Sequence, residues 1–338
     1  MRKFIVIALA FLGAGFVYLS FGEIESILQT IRRGNLWFIL LALLIESGWI
    51  VVAGATVLAL YRILGLEETL YRLSLLFTAG NFISTVMPSA GMGAVAVFIS
   101  EANRRGQPTG KVTIASMLYI FLDYIAFLCV LALGLIVLFR RNHLDGAELT
   151  ASGIMFSIAA LLGFLFYLGS KSEDRLGNAL TRIARLLNRL ARPFIHRQYL
   201  SESTMREYAR ELATDLQTLP QNYRKFLKPM LFALLNKAML MCVMAAIFLA
   251  FQVPFSAGTI IGGFSIAYLF LVISPTPAGI GIVEGIMPLV LSSLNVPWSQ
   301  AIIVTLAYRG VTFWFPLGVG AWALRMLHMT PNQQESPA

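Results

Sequence analysis

The residue types best suited to chemistry are concentrated in the stretch 274–284, which lies between long apolar runs. It contains two prolines, including Pro277, as well as Gly279 and Gly281, and it ends in the carboxylate of Glu284. Proline removes a backbone donor and ends a helix, whereas glycine permits unusual backbone dihedral angles. Non-helical backbone at membrane depth is tolerated only where protein or a water-filled cavity surrounds it. The stretch is therefore a candidate site for binding a polar group inside a bilayer.

A helix is expected to restart near Ile282, immediately after this break. Its free N–H groups and the positive end of its dipole would point into the protein interior, which suits an anion such as a phosphate. Glu284 falls in the first turn of that helix, and three roles are open to it. It could cap the free N–H groups, pair with Arg309, or bind a proton or a cationic group.

Five ionisable residues fall within regions predicted to lie in the membrane: Glu46, Asp123, Lys237, Glu284 and Arg309. Each costs at least about 2.5 kcal/mol at a lipid-facing helix centre, so we expect them to face the interior or to pair with each other. They could form salt bridges that hold the bundle together, or they could line a polar route. We favour the polar route for Glu284 and Arg309 and leave both roles open for Asp123 and Lys237. For Glu46 we favour a structural contact between helices.

A second, weaker break lies upstream, between Asn81 and Gly93. It repeats the same residue types, with Asn81 followed by Pro88, Gly91 and Gly93. It lacks an acid after the last glycine, where Ala94 stands. Asn81 is nevertheless included among the candidate binding residues.

The composition predicts a polytopic membrane protein of the all-α class. Of the 338 residues, 58% are hydrophobic and 13% are charged, and the mean hydropathy is +0.75. A soluble domain carries roughly twice that charged fraction. Several apolar runs reach the roughly 20 residues that cross a bilayer. Full spans are predicted at about 4–21, 36–60, 112–139, 149–169, 229–252 and 299–325.

Two further apolar regions, 73–103 and 258–296, contain the breaks, and each is either an irregular span or a re-entrant helical hairpin. The distribution of positive charge favours hairpins over irregular spans. If both regions are hairpins, 20 of the 26 Lys and Arg residues lie on the cytoplasmic side of the plasma (inner) membrane and four lie outside. Both termini are then cytoplasmic, and the two hairpins enter from opposite faces. Opposed broken helices are typical of an inverted repeat, with halves at about 1–140 and 149–326.

The segment 170–228 is polar and holds 12 of the 26 basic residues. Apolar residues repeat within it at helical spacing, which predicts an amphipathic helix lying on the anionic cytoplasmic leaflet. A charge cluster that only sets topology is the alternative. Because so much positive charge lies in this one segment, the net charge of +9 does not indicate nucleic-acid binding. The tail 331–338 is polar and predicted to be disordered.

The sequence contains no recognisable catalytic or cofactor-binding pattern, so neither an enzyme nor a cofactor is predicted. No Ser/His/Asp arrangement, paired metal ligands or Walker-type glycine loop is present, which argues against an ATP-driven pump within this chain. Cys129 and Cys242 both lie in apolar runs, and we expect them to be small buried residues without disulfide or metal spacing.

The C-terminal region resembles the membrane domain of lysylphosphatidylglycerol synthases. The resemblance rests on the motif Ser-Pro-Thr-Pro-Ala-Gly-Ile-Gly-Ile-Val-Glu at 274–284, on Leu-Asn-Val-Pro at 294–297, and on Ala-Tyr-Arg at 307–309. Ala278 replaces the first glycine of the family's turn. The Tyr308–Arg309 pair follows Glu284 by about the distance typical of the family.

The N-terminal half is similar to the same family over Asn81 to Gly93, over Arg-Arg-Gly at 104–106, and at Asp123 in the next span. Family members often carry a polar or basic residue after the glycine pair, where this chain has Ala94. The resemblance runs from about residue 5 to 325. It implies a flippase-like domain that moves a phospholipid between leaflets. In the bifunctional members a separate soluble domain performs aminoacyl transfer, and no polar stretch in this sequence is long enough to hold that domain.

The leading hypothesis is therefore a lipid translocase. The phosphate would lie near the restarted helix and Arg309, and Glu284 and Asp123 would balance its charge or bind a headgroup amine. Lys237 and Tyr308 are further candidate binding residues. An ion- or proton-coupled small-solute transporter is the second hypothesis. A non-transporting partner of a lipid-modifying enzyme and an intramembrane enzyme are the others, and a homo-oligomer is compatible with all of them.

Overall fold

The computed structural model describes residues 34–86, 92–140, 146–171, 177–182, 185, 223–274 and 276–329. These residues form ten α-helices and contain no strand, which confirms the all-α class. In chain order the helices are α1 Leu36–Ile63, α2 Leu70–Val86, α3 Met92–Arg104, α4 Thr109–Arg140, α5 Gly146–Lys171, α6 Leu227–Ala250, α7 Ala257–Ile273, α8 Ile282–Ser293, α9 Trp298–Arg309 and α10 Phe315–Met329.

Four helical stretches are long and apolar enough to cross a membrane: α1, α4, α6 with the turn before it, and α9 continued into α10. They confirm four of the predicted spans, at 36–60, 112–139, 229–252 and 299–325. Helix α5 coincides with the span predicted at 149–169, and its apolar part, Ser152–Leu168, is shorter than the other four. The span predicted at 4–21 lies outside the described residues.

Helices α2 and α3 run antiparallel and form a first hairpin. Arg72, near the start of α2, makes an ion pair with Glu101, near the end of α3. Midway along, the helices touch so closely that a methyl group added at Gly80 would lie 2.9 Å from the Cα atom of Ala94. Near the tip, the backbone N–H of Ala94 donates to Ser84 Oγ at 2.8 Å. The turn between the two helices, at 87–91, lies outside the described residues.

Helices α7 and α8 form a second hairpin, which the sequence also predicts as a break. The side chain of Ser256 caps α7 by accepting from the N–H of Thr259 at 3.1 Å. At the base of the hairpin Gly262 faces Leu294, and one residue further along Gly263 faces Leu291. The chain reverses between the two helices, and the short 3₁₀ turn Pro277–Gly279 occupies the tip.

The two hairpins start from opposite ends of the bundle. Asn35 caps the start of α1, and its N–H donates to the carbonyl oxygen of Ala250, the last residue of α6, at 2.8 Å. Helix α7 begins a few residues after Ala250. The other end of α1 leads into the first hairpin, where Arg105 pairs with Glu68 and Arg104 donates to the carbonyl oxygen of Leu327 at 3.2 Å. We call this second end the basic end. The tip of the second hairpin packs against α2 of the first.

Buried apolar side chains collect around each hairpin. One cluster joins α2 and α3 to the second half of α1, the start of α4 and the end of α10. Another joins α6, α7, α8 and α9. The close helix contacts depend on small residues, as is common in membrane bundles.

Three expectations are limited or corrected by the described residues. Asn81 was placed in the upstream break, but it lies within α2, because the helix continues to Val86. Cys129 and Cys242 were expected to be buried, but both lie on the outer faces of their helices. Most of the amphipathic segment at 170–228 and all of the tail at 331–338 lie outside the described residues.

Candidate functional site

The tip of the second hairpin has a strained and well-connected backbone. Ala278 has φ 50° and ψ 27°, and Gly279 and Gly281 follow with φ 71° and 80°. Such left-handed conformations are easy for glycine and unfavourable for alanine. The hydroxyl of Thr276 donates to the carbonyl oxygen of Ile280 at 2.9 Å, and this bond closes the turn. Pro277 begins the 3₁₀ turn.

Glu284 occupies the first turn of α8, as predicted, and it has two of its predicted roles at once. One carboxylate oxygen accepts from the N–H of Gly281 at 2.7 Å and so caps the start of the helix. The other oxygen accepts from Nε of Arg309 in an ion pair. Helices α8 and α9 are antiparallel neighbours, so a separation of 25 residues brings the two side chains together.

Arg309 is almost entirely enclosed, with 2% of its side chain exposed. Besides Glu284 it contacts the hairpin tip, because Nη2 donates to the carbonyl oxygen of Ala278 at 3.1 Å. Its guanidinium lies 4.3 Å from the ring centre of Phe313, which is a favourable cation–π distance. The arginine thus fastens α9 to the tip of the second hairpin. The carboxylate of Glu284 keeps 16% exposure, so it is the more accessible partner.

Replacing Ala278 with glycine is expected to stabilise the protein by about 0.5–1 kcal/mol. The left-handed conformation costs alanine about 1–2 kcal/mol, and the greater freedom of glycine in the unfolded chain offsets part of the gain. Unfolding in detergent measures the change. Ala160→Gly, at an exposed position within α5, is the matched control and is expected to destabilise. Destabilisation by Ala278→Gly would contradict the left-handed backbone at the tip.

A second ion pair crosses the bundle between α4, α6 and α7. Lys237 Nζ lies 2.7 Å from one carboxylate oxygen of Asp123 and 2.8 Å from the other. It also lies 2.6 Å from the hydroxyl of Tyr268. Lys237 is 1% exposed and Asp123 16% exposed, so this cation too is enclosed while its acid keeps some access. Four of the five predicted intramembrane charges therefore pair with each other.

Tyr308 is next to Arg309 in sequence and interacts electrostatically with Tyr268, which contacts the second ion pair. Tyr308 is buried on α9, and its hydroxyl is close enough to Tyr268 and Glu46 for electrostatic interaction. The predicted residues Glu284, Arg309, Gly279, Gly281, Pro277 and Tyr308 thus gather at the second hairpin. Asn81 lies half-buried in α2, and no described contact joins it to them.

The sequence missed Tyr268, and it did not indicate one property of Glu46. Tyr268 lies in an uninterrupted apolar run, and only the tertiary contact with Lys237 reveals it. Glu46 was expected to make a structural contact between helices. In the described residues it is fully buried and neither carboxylate oxygen has a hydrogen-bond partner.

Among the residues described, the fold is that of an all-helical, multi-pass membrane protein with ion pairs in its interior. The chain belongs to the family described as the lysylphosphatidylglycerol synthase TM region, whose model matches residues 5–320. Membrane domains of this family are flippase-like. The match is to the membrane region alone, and no catalytic synthase domain is found. A comparison with curated proteins finds no match.

Proposed function

We propose that the protein translocates a phospholipid with an anionic or aminoacylated headgroup between the two leaflets. The observation that carries the proposal is the ion pair of Arg309 and Glu284 at the place where α8 begins. A guanidinium beside a helix N-terminus is well suited to a phosphate, because both supply directed donors and positive charge. Family membership supports the same assignment.

The headgroup phosphate competes with Glu284 for Arg309. With Glu284 bound, the guanidinium is paired and shielded, as its 2% exposure indicates. When the carboxylate moves towards its exposed side, the phosphate takes its place, and the N–H of Gly281 loses its cap and becomes a second donor. The exchange replaces one anion with another, so the buried cation is never left unpaired.

The Asp123–Lys237 pair is the second binding site for the headgroup, after the pair of Arg309 and Glu284. Its acid is suited to an amine on an aminoacylated headgroup, and its lysine is suited to a phosphate. Tyr268 contacts Lys237, and Tyr308 interacts electrostatically with both Tyr268 and Arg309, so the two tyrosines can supply hydroxyl groups along the proposed route. A headgroup can then pass between the two cations without crossing a purely apolar interior.

A π-helical segment gives α9 and α10 a place to bend. It comprises Gly310–Trp314, immediately after Arg309. Single π turns within α-helices are frequent at functional sites because the ladder of hydrogen bonds is already disturbed there. Bending at this segment would withdraw Arg309 from the hairpin tip while the rest of α9 and α10 stays helical.

The proposed topology places both hairpins as re-entrant elements of an inverted repeat, entering from opposite faces. Helix α4 ends in Arg140 at the end away from the basic end. The positive-inside rule then makes the basic end cytoplasmic. The described basic residues that support this orientation are Arg62, Arg72, Arg104, Arg105, Lys111, Arg224, Lys225, Lys228 and Arg325.

Reconstitution into phospholipid vesicles tests the function. We expect vesicles with the protein to exchange a headgroup-labelled anionic or aminoacylated phospholipid between leaflets, and vesicles without it to retain the label where it was placed. A quencher added outside reports the labelled fraction in the outer leaflet. Equal quenching with and without protein would contradict the proposal. Uptake of a water-soluble solute in the same vesicles without lipid movement would instead favour the solute transporter.

A further inference from the structure

Glu46, in the middle of α1, is the one intramembrane carboxylate in the described residues without a cationic or hydrogen-bonding partner. Its exposure is 0%, and both Oε1 and Oε2 lack a hydrogen-bond partner in the described residues. Asp123 and Glu284, by contrast, each face a basic side chain. A buried polar group without a partner is uncommon and calls for a functional explanation.

Helix α6 packs along α1 and offers Glu46 no counter-charge. Two contacts between these helices lie just after Glu46 along α1: Gly48 faces Met239, and Trp49 Nε1 donates to Asn236 at 2.7 Å. The titratable side chain that α6 carries here is Lys237, and its ammonium group is engaged by Asp123 and Tyr268.

The other helices packed against α1 do not supply a counter-charge either. On α9, Tyr308 interacts electrostatically with Glu46 and is neutral in its ordinary state, and the neighbouring Arg309 is already held by Glu284. The π segment 310–314 has no titratable residue. On α2 the titratable residues are at its first turns, where Arg72 pairs with Glu101. On α4 the titratable residues in the middle of the membrane are Tyr119, Asp123, Tyr124 and Cys129, none of which is cationic, and Asp123 already holds Lys237.

An unpaired carboxylate cannot remain ionised in such surroundings, because burial of an isolated charge costs many kcal/mol and the group binds a proton instead. A metal cation is a poor alternative. Hard cations need about six oxygen ligands, and the described residues contain no group of three or more acidic, histidine or cysteine side chains that could hold a metal ion. We therefore infer that the carboxylate of Glu46 binds a proton.

We propose that Glu46 is a proton-carrying site that couples lipid translocation to a transmembrane pH gradient. This inference rests on the translocase function proposed above. In the closed conformation described here the carboxyl group is neutral. When α9 bends at the π segment and Tyr308 moves with it, water reaches Glu46. The O–H bond of the carboxyl group then breaks, the proton passes to that water, and the carboxylate takes a new proton from the opposite side before the bundle closes again.

The test uses full-length protein in vesicles with an imposed pH gradient, and it compares wild type with Glu46→Gln. Glutamine has the shape of the neutral acid but cannot release a proton, so the variant is expected to fold. Glu67→Gln, at an exposed position outside the membrane core, is the matched control. If one proton moves per lipid, the steady-state ratio of labelled lipid between leaflets shifts by up to about tenfold per pH unit.

We expect this shift in wild type and in Glu67→Gln, and no shift in Glu46→Gln, which still exchanges lipid down its concentration gradient. Infrared spectroscopy provides a readout that does not depend on transport: the band of a protonated carboxyl group should be present in wild type at neutral pH and reduced in Glu46→Gln. An equal gradient response in wild type and Glu46→Gln would overturn the coupling while leaving the translocase intact. Absence of any lipid movement in wild type would overturn the translocase itself.

Discussion

Replacing Arg309 with lysine should reduce phospholipid translocation by about 10- to 100-fold. A lysine retains the positive charge but loses the planar set of donors, which can reach Glu284, the carbonyl oxygen of Ala278 and an incoming phosphate. The loss of one hydrogen bond to a charged group is worth about 1.5–3 kcal/mol, which corresponds to that range of rates. Initial rates of headgroup-labelled lipid exchange measure the effect.

Arg325→Lys is the matched control for this substitution, because Arg325 is exposed on α10 at the basic end. We expect its exchange rate to equal that of wild type. Glu284→Gln should also slow exchange, because an arginine without its resting partner binds the anionic headgroup and releases it slowly. Wild-type rates in both Arg309→Lys and Glu284→Gln would remove this site from the proposed route.

Breaking the pair of Asp123 and Lys237 should destabilise the protein strongly. Asp123→Asn leaves an ammonium group buried without an anion, and Lys237→Met leaves the carboxylate without its cation. Removal of one partner from a buried pair typically costs about 3–5 kcal/mol, whereas replacement of both is often close to neutral. The double variant should therefore be more stable than either single variant. Unfolding of the four proteins in detergent gives the coupling energy directly.

Additive losses in the double variant would show that the two residues do not interact, which would contradict the 2.7 Å contact. The same four proteins also separate structure from transport. If the pair only holds the bundle together, the double variant should exchange lipid normally. If the pair is the second binding site for the headgroup, the double variant should be stable but should exchange lipid slowly.

The tip of the second hairpin was largely predictable, because Pro277, Gly279 and Gly281 act through local backbone chemistry. A helix had to end near Ile273 and restart near Ile282, and it does. The pair of Glu284 and Arg309 was foreseeable for a related reason. Both residues lie in apolar segments, where an unpaired charge is costly, and few partners were within reach.

Other features depend on tertiary packing that no local pattern records. Tyr268 contacts Lys237 across 31 residues and Asp123 across 145, and nothing in its own apolar run signals either contact. Asn81 looked like part of a break, yet its helix continues to Val86 because the downstream proline and glycines act later in the chain. Glu46 resembled a helix-contact residue, and only the packing of α6 against α1 reveals that it has no partner.

Cys129 and Cys242 illustrate a limit of the hydrophobicity pattern in membrane proteins. In a soluble protein an apolar run predicts burial, but a membrane helix is apolar on its outer face as well. Both cysteines lie on outer faces, where lipid rather than protein would surround them. The pattern thus identifies a membrane helix without identifying which face meets its neighbours.

Cross-linking with a phospholipid that carries a photoreactive group in its headgroup tests the central claim most directly. In reconstituted vesicles we predict covalent attachment within 276–284 and near Arg309, reduced by excess unlabelled lipid and lost in Arg309→Lys. Attachment confined to the outward-facing residues of α1, α4 and α6, unchanged by competitor or by the substitution, would contradict a headgroup site at the tip of the second hairpin.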